Sequence, residues 1–412
     1  MGMNSLAGFR VIDLSHVIAG PTASHYLAQE GAEVIKVEHP ANGDILRGGA
    51  REALDAGISV SFAAINGGKQ SLALDLKHPR CRELLFGLIR SADVFIENFR
   101  PGATARLGFD YAAVKAAKPD IIYASISGFG QEGAWGTRAA YDHVVQSAVG
   151  IPMMQGVEGE DPMKVGFPVV DSATGMIAAQ ALLAALIRRL RTGAGAYLDI
   201  SMAQAALQLM WPDAARAGVS GEDAPRIGNR GFSGSPGGGT WRCADGWVST
   251  AANTAAQFRI FCEVIGAAEV LSDATLLDTD ALTAGQGFVV ARDRPRLESV
   301  LIQAVAKFST ADLEARLAAR DVPCAQLVTL ASFLKRALAG GMLTMPARQT
   351  AYAHGTLVDF GSGFKADGAD GAALPQAPRL GQHTAAILRG LGVEQREIDS
   401  LAAQGQIKLA AA

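Results

Sequence analysis

The sequence predicts an α/β protein whose larger domain is built on a doubly wound, mostly parallel β-sheet. From residue 8 to residue 201, short runs rich in Val, Ile and Leu alternate with segments of helical periodicity. A strand at 8–14, a helix ending near residue 27 and a strand at 32–38 form a βαβ unit, which requires parallel strands and a right-handed crossover. The 412 residues are enough for two or three domains with large cores.

Further strands are predicted in chain order at residues 70–76, 93–98, 121–126 and 197–201, with helices between them. The loop after the first strand is not GxGxxG, so the dinucleotide fingerprint is absent. In open parallel sheets, ligands bind beyond the carboxyl ends of the strands. We therefore expect a ligand site among the loops that carry His16, Lys77 and the segments 98–102 and 128–131.

The stretch at residues 167–190 has an unusual pattern. It predicts a short apolar extended run, one acid at Asp171, and then a long helix that is apolar nearly all round and should be buried. Asp171 is the only acid between Asp161 and Asp199. Taken alone, its position suits a helix cap that accepts backbone N–H bonds. A chemical role depends on the rest of the chain.

Composition shifts after residue 212. Residues 213–240 are rich in loop-forming residues and contain Gly237, Gly238 and Gly239 in succession. Glycine weakens both helices and strands, so we predict either a mobile flap approached by a ligand or a plain flexible linker. A smaller α/β region follows from residue 240, and helical segments close the chain.

Charge and cysteine content exclude several classes. The net charge is −3, from 37 basic and 40 acidic residues, which argues against a nucleic-acid partner. The four cysteines lie far apart without a CxxC pair, so no metal site is expected, and reduced thiols suit a cytoplasmic protein. The most apolar run, at residues 176–187, is shorter than the ~20 residues of a membrane span.

Several motifs together resemble the family III CoA-transferases, which include formyl-CoA:oxalate and carnitine CoA-transferases (the CaiB/BaiF superfamily). The matching segments are 11–14 (VIDL) with 19–21 (AGP), 31–38 (GAEVIKVE), 66–69 (NGGK) with 74–77 (LDLK), 93–102 (DVFIENFRPG), 127–130 (SGFG), 141–142 (YD), Asp171, the glycine run, 322–324 (VPC) and 380–384 (LGQHT). The resemblance implies a large domain formed by residues 1–212 and 336–412 and a small domain at 213–335. It also implies a homodimer whose two subunits interlock.

The resemblance also assigns site residues. Asp171 matches the catalytic aspartate, and Gly237, Gly238 and Gly239 match a glycine flap over the active site. The positions that match CoA contacts are His16, Val17, Ala19, Leu74 to Lys77, Asn98, Phe99, Arg100, Arg106 and Tyr141. Two positions depart from the oxalate enzymes: Ile18 replaces a glutamine, which argues against oxalate, and His39 replaces an arginine that contacts the nucleotide.

The chemistry that this resemblance implies is transfer of CoA from an acyl-CoA to a carboxylate acceptor, for which the family's range suggests a small dicarboxylate. CoA is then substrate and product, and no tightly bound cofactor is expected. An aspartate with an ordinary pKa is ionised at neutral pH and can act as a nucleophile. The reaction would then proceed through an aspartyl anhydride and an aspartyl-CoA thioester. Backbone amides at the start of the 173–190 helix are expected to stabilise the oxyanion.

Two alternatives remain open from the sequence. The α-methylacyl-CoA racemases share the fold and the aspartate, but they carry a histidine where this chain has Tyr141. The phenol has a pKa near ~10 and is a poor base at neutral pH, while His143 lies two residues further on. The other alternative is a non-catalytic CoA-binding protein.

Overall fold

The chain forms two compact units. In the computed structural model, residues 3–48, 53–284, 287–340, 348–361, 363–367 and 374–410 are described. One unit comprises Met1–Ile151, Lys164–Glu222 and Gly340–Ala412, and the other comprises Pro152–Met163 and Asp223–Ala339. The domain boundaries at 212/213 and 335/336 stay predictions, and no sequence pattern indicates that Pro152–Met163 joins the second unit.

The regular elements are as follows. The strands are β1 (Arg10–Asp13), β2 (Glu33–Glu38), β3 (Ala53–Asp55), β4 (Ile58–Ser59), β5 (Gln70–Leu74), β6 (Val94–Glu97), β7 (Ile122–Ser127), β8 (Ala196–Ser201), β9 (Gly237–Arg242), β10 (Trp247–Ala252), β11 (Cys324–Gln326), β12 (Arg348–Tyr352), β13 (Gly355–Asp359) and β14 (Ile407–Lys408). The α-helices are α1 (Ala19–Gln29), α2 (Val60–Asn66), α3 (Pro79–Ile89), α4 (Ala103–Leu107), α5 (Tyr111–Ala117), α6 (Asp142–Ala148), α7 (Ile151–Met154), α8 (Val169–Thr192), α9 (Met202–Leu209), α10 (Trp211–Ser220), α11 (Ala255–Ile265), α12 (Thr279–Ala284), α13 (Arg294–Val305), α14 (Thr310–Ala318), α15 (Leu330–Ala339), α16 (Thr384–Gly390) and α17 (Gln395–Ala403).

The main sheet confirms the predicted parallel-dominated α/β architecture. Among the described residues its strands have the order β14-β5-β2-β1-β6-β7-β8. Neighbouring strands are parallel, except that β14 is antiparallel to β5, with Ile407 opposite Leu74. Numbered along the chain, the six parallel strands follow the order 3-2-1-4-5-6 of doubly wound sheets. The order reverses between β1 and β6, so the loops after these strands lie side by side.

Helices cover both faces of this sheet. Successive side chains of a strand point to opposite faces, and here both sets are apolar, so each face needs a covering layer. Val11 and its neighbours on one face pack against α1 and α8. Ile12, on the opposite face, belongs to a core shared with α3, α16 and α17. Burying each Leu, Ile or Val side chain contributes about 1.5–3 kcal/mol relative to leaving it exposed.

Helix α8 differs from its prediction in two ways. It begins at Val169, directly after Pro168, so the extended run predicted before Asp171 is partly helical. One side is buried against the sheet, while Met176, Ile187 and Leu190 are exposed, so burial on nearly all sides is wrong for this chain alone. By length and composition the helix also passes a test for a membrane span, with a mean hydropathy of 1.6, but half of its most apolar window is buried within the protein. Core helices of globular proteins pass the same test, so this finding carries no conclusion about a membrane.

The second unit contains a β-sheet with the strand order β11-β10-β9 among the described residues. Its core contains Phe258 and Phe261 of α11 together with apolar residues of the sheet and of helices α12 to α14. Gly237, Gly238 and Gly239 form the first half of β9 and pair with β10, so the predicted loop is wrong at these residues. Close packing explains Gly237, because a Cβ there would lie 2.6 Å from the carbonyl oxygen of Ala252.

Buried ion pairs join the carboxyl ends of β1 and β2 to the start of β5. The Lys69 ammonium lies 3.3 Å from Asp13 Oδ2 and also donates to Ser24 Oγ at 2.7 Å, with no exposure of either charged side chain. Lys36, equally buried, pairs with Asp44 at 3.0 Å. Burial alone would raise the pKa of Asp13, but Lys69 and Lys36 hold that pKa well below its usual range. Each of these four buried charges therefore depends on the oppositely charged groups beside it.

We expect Lys69→Met to destabilise the protein by ~3–5 kcal/mol, because the substitution leaves the Asp13 carboxylate buried without its nearest cation. The exposed Lys307 is the control, and Lys307→Met should change the free energy of unfolding by less than ~0.5 kcal/mol. Urea denaturation followed by circular dichroism measures both. Equal midpoints for the two variants would show that the buried pair contributes nothing to stability.

Candidate active site

The loops that follow β1 and β6 are joined by a reciprocal pair of hydrogen bonds. The backbone amide of His16 donates to Asn98 Oδ1 at 2.8 Å, and Asn98 Nδ2 donates to the carbonyl oxygen of His16 at 2.8 Å. The His16 and Phe99 rings then meet edge to face, with centroids 5.1 Å apart. An amide side chain supplies both a donor and an acceptor, so Asn98 aligns the two loops at the point where the strand order reverses.

Val17, the next residue of the first loop, is held in a strained conformation. Its φ of 66° lies in the left-handed region, which is rare for a β-branched side chain. Its amide donates to Asp44 Oδ1 at 3.3 Å. Asp44 is itself fixed by Lys36, and although burial raises the pKa of Asp44, the Lys36 charge together with hydrogen bonds from Leu46 and Lys36 lowers it overall. Strain of this kind costs about 1–3 kcal/mol and persists where the surrounding structure determines it.

These loops form one wall of a cavity of about 200 Å³, and α8 supplies Asp171 to it. The cavity brings together eight of the predicted site residues: His16, Val17, Ala19, Asn98, Phe99, Arg100, Tyr141 and Asp171. Burial and the nearby Lys36 charge lower the pKa of His16, so its ring is neutral at physiological pH. The residues of this cavity all belong to the first unit.

A second cavity of about 180 Å³ lies alongside the first and shares His16 and Phe99 with it. Leu74, Lys77 and His39 line this second cavity. Arg106 lines neither cavity; it is exposed near the end of α4. The structure therefore gathers the predicted CoA-contacting residues of the first unit around two adjoining spaces, except for Arg106.

Asp171 does not cap its helix, because another carboxylate does. Asp142 Oδ2 accepts hydrogen bonds from the backbone amides of Val170 at 2.8 Å and Asp171 at 3.0 Å. Its other oxygen accepts from Gln146 at 2.6 Å. The cap interpretation of Asp171 is therefore wrong. The expectation that amides at the start of a 173–190 helix stabilise an oxyanion also fails. The helix begins at Val169, so those amides lie inside it, and Asp142 accepts from the amides of Val170 and Asp171 before them.

The environment of Asp171 changes its acidity. Burial in a partly apolar cavity, and then the charge of Asp142, raise the pKa of Asp171 to about 7. The expectation of an untuned aspartate is wrong. Near neutral pH the carboxyl group lies close to its midpoint, and its ionised form is more basic than an ordinary aspartate.

Helix α1 approaches α8 closely beside Asp171. A Cβ on Gly175 would lie 2.6 Å from Thr22 Cβ and 2.9 Å from the carbonyl oxygen of Ala19, so glycine is required there. Asp171 lies one turn before Gly175 on the same helix face. The residue before α1, Ile18, provides no side-chain cap. Among the described residues, no side chain accepts a hydrogen bond from the amides of Ala19 and Gly20, the first two of α1.

The sequence prediction missed several cavity residues. Arg138 and Met202 line the cavity with Asp171. Asp142 accepts a hydrogen bond from the backbone amide of Asp171. Asp142 carried a sequence signal, since it begins a helical segment four residues before Gln146, but which helix it would cap depends on tertiary structure. His143 is exposed and is not among the residues that line the cavity, which argues against it as the base of the racemase alternative.

The three predicted flap glycines lie outside the first unit, and the sequence predicted no metal ligands. Gly237, Gly238 and Gly239 belong to the second unit, and their contact with substrate stays a prediction. Across the described residues, no group of three or more His, Cys, Asp or Glu side chains is arranged to hold a metal ion.

Comparison with known proteins places these features in a family. The family model described as CoA-transferase family III matches residues 6–384. The succinate–glutarate CoA-transferase of Agrobacterium fabrum is 37% identical over 273 residues, which covers 65% of this chain and 68% of that protein. The formyl-CoA:oxalate CoA-transferase of Streptomyces coelicolor is 32% identical, covering 99% of this chain and 100% of that protein.

Solved structures agree with this assignment. The crystal structure of a CAIB/BAIF family protein from Brucella suis superposes with a TM-score of 0.79 at 30% identity. The match covers 94% of this chain and 99% of that chain. The fold of nearly the whole chain, 94% of its length, is thus shared with a protein of known structure.

We expect the Asp171 carboxyl to titrate near pH 7, and Asp142→Asn to lower that midpoint towards the ordinary value by removing a neighbouring negative charge. Asparagine keeps an oxygen that accepts amide hydrogen bonds, so the cap of α8 should survive. Carbon-13 NMR of labelled aspartate side chains measures the midpoint, and Asp399→Asn is the control at an exposed acid. A wild-type midpoint near 4 would contradict the tuning of Asp171.

Proposed function

Since the chain belongs to CoA-transferase family III and moves CoA between an acyl-CoA and a carboxylate, we propose that Asp171 is the nucleophile of this transfer. The observation that carries the proposal is its free, half-buried carboxylate in the same cavity as His16 and Asn98. The carboxylate is not needed as a cap, and its raised pKa makes the ionised form a stronger nucleophile.

The proposed steps conserve every atom. The Asp171 carboxylate attacks the thioester carbonyl, and the C–S bond breaks to give CoA thiolate and an acyl-aspartyl anhydride. The thiolate then attacks the aspartyl carbonyl, which releases the first carboxylate and leaves aspartyl-CoA. The acceptor carboxylate attacks this thioester, and the thiolate returns to the new anhydride, regenerating Asp171 and forming the product acyl-CoA.

The start of α1 is the proposed oxyanion site. Ala19 lines the cavity, and the close approach at Gly175 brings the first turn of α1 beside Asp171. Amide donors at a helix N-terminus stabilise negative charge that develops on a carbonyl oxygen. This assignment replaces the start of α8, whose amides are occupied by Asp142.

The two adjoining cavities suit the two ends of an acyl-CoA. We place the thioester at Asp171 and the body of CoA towards the second cavity, where Lys77 offers an exposed ammonium for phosphate. His16 is neutral and therefore acts as a hydrogen-bonding group rather than as a cation. Arg100 and the exposed Arg106 supply further positive charge at this edge of the sheet.

The acyl group is proposed to be that of a small dicarboxylate. The relative from Agrobacterium fabrum is named for succinate and glutarate. Ile18 lines the cavity where the oxalate enzymes carry a glutamine, and the apolar side chain suits methylene groups better than the adjacent carboxylates of oxalate. We also propose a cytoplasmic location, because the four cysteines are free thiols.

Asp171→Asn should lower transfer by several orders of magnitude, because an amide is not a nucleophile. The variant should be at least as stable as the wild type at pH 8, since ionising Asp171 in the folded state is unfavourable above its unfolded pKa of ~3.9. Steady-state assays and urea denaturation measure the two effects. Wild-type enzyme incubated with acyl-CoA alone should also form an adduct at Asp171 that hydroxylamine traps, located by peptide mass spectrometry.

Two results would refute this role: near-normal turnover by Asp171→Asn, or an adduct at another residue. The pH profile supplies a further check. Values of kcat/KM should rise through pH 7 as the free carboxyl ionises and then level off.

A homodimer is proposed from the exposed face of α8. Met176, Leu183 and Ile187 line an apolar groove of about 540 Å³, together with Tyr26 and Phe364. A contiguous apolar surface of this kind is typical of a protein–protein interface. We propose that a second copy of the chain covers it.

Leu183→Glu should weaken or abolish the dimer, because a carboxylate would be buried in an apolar interface. Arg188→Glu, at an exposed position of the same helix, is the matched control. Size-exclusion chromatography with light scattering gives the mass of each species. An active wild-type monomer, or unchanged dimers of Leu183→Glu, would be inconsistent with this interface.

A further inference from the structure

Arg138 is a cation in the Asp171 cavity to which no role has yet been given. Its side chain lines the cavity and is exposed. In the described part of the chain, its guanidinium forms no ion pair with a carboxylate and no side-chain hydrogen bond. Arg189, by contrast, is paired with Asp93 and Asp120. The donors of Arg138 are therefore available to a ligand.

An aromatic platform holds this guanidinium in place. Its Cζ lies 3.9 Å from the centroid of the Trp135 ring, and Trp135 meets Phe129 edge to face at 5.1 Å. The amide of Arg138 donates to the carbonyl oxygen of Trp135 at 2.9 Å. A guanidinium that stacks by its face keeps its edge free for two parallel hydrogen bonds to a carboxylate.

The sheet order puts Arg138 at the acyl end of the cavity. The second cavity is lined by residues of β2 and β5 and of the segments that follow β1, β2, β5 and β6, but by none that follow β7. Arg138 lies in the loop after β7, two strands beyond β1 in the opposite direction. If the body of CoA occupies the second cavity and its thioester reaches Asp171, the acyl chain continues towards the β7 loop. Its far end then meets Arg138.

The cavity around Arg138 is small and partly apolar. Ile126 and Met202 line it, together with Ser127, whose buried hydroxyl has no hydrogen-bond partner among the described residues, and the total volume of about 200 Å³ accommodates only a short chain. Apolar side chains beside one cation suit a four- or five-carbon acyl chain that has methylene groups in the middle and a carboxylate at its far end.

We propose that Arg138 binds the distal carboxylate of the acyl group and thereby selects short dicarboxylic acids as substrates. The inference rests on the transfer reaction at Asp171 proposed above. It assigns Arg138 to the acyl group and not to CoA, and it covers both the donor and the acceptor, because each in turn occupies the same end of the cavity.

The test compares two donors that share CoA and chain length but differ in the distal group: succinyl-CoA and butyryl-CoA, each with labelled glutarate as acceptor. Wild-type kcat/KM should favour succinyl-CoA by at least ~10²-fold, because a site built around a charged hydrogen bond rejects an analogue that lacks the partner. Arg138→Gln should lose at least ~10²-fold with succinyl-CoA and change by less than about threefold with butyryl-CoA. Trp135→Leu, which removes the platform, should give a smaller loss in the same direction.

Arg242 provides a matched control, since its guanidinium lies 5.3 Å from the Trp247 ring centroid in the second unit. Arg242→Gln should leave the preference between donors unchanged. Equal losses of Arg138→Gln with both donors would assign the residue to CoA or to folding and overturn the inference, as would wild-type enzyme with no preference. Absence of any transfer by the wild type, with these donors and a wider panel of acyl-CoA thioesters, would instead refute the proposed function itself.

Discussion

The carboxylate of Asp142 is the interaction on which the active site depends. It stands at the first position of α6 and accepts the first free amides of α8. A helix that begins in this way does not need its own acid as a cap, so Asp171 faces the cavity with both oxygens available. The same negative charge helps to raise the pKa of Asp171. One contact thus fixes the position of the helix, frees the nucleophile and increases its basicity.

The features that could be predicted from the sequence are those that depend on local pattern. Runs rich in Val and Ile predicted the ends of β1, β2 and β7 to within two residues. Such runs are a clear signal because a strand that is buried on both faces needs a nearly continuous apolar sequence. The motifs also located the residues around Asp171 that the fold brings together. Features that depend on tertiary partners were missed. The role of Asp142 requires a contact between two helices, and Gly237 serves close packing inside a strand although glycine suggests a loop.

The walls of the cavity differ in their rigidity. The wall around Val17 rests on buried ion pairs and reciprocal hydrogen bonds, which hold a β-branched residue in a left-handed conformation. The opposite wall, with Arg138 on Trp135, is exposed and stacked rather than buried. A rigid wall suits the invariant part of the substrates, which is CoA. Substitutions in the stacked wall would therefore change which acyl group the enzyme accepts without disturbing the fold.

The pairing of β14 with β5 affects how the chain folds during synthesis. Residues 407–408 complete an edge of a sheet whose other strands lie between residues 10 and 201. Until this segment leaves the ribosome, the edge of β5 carries unpaired amides and carbonyls, which are a template for association with other chains. The second unit, mostly a continuous segment from Asp223 to Ala339, has all its strands available earlier. Synthesis therefore leaves the first sheet open while the later segment folds, and this interval is the period in which the nascent chain most needs protection from aggregation.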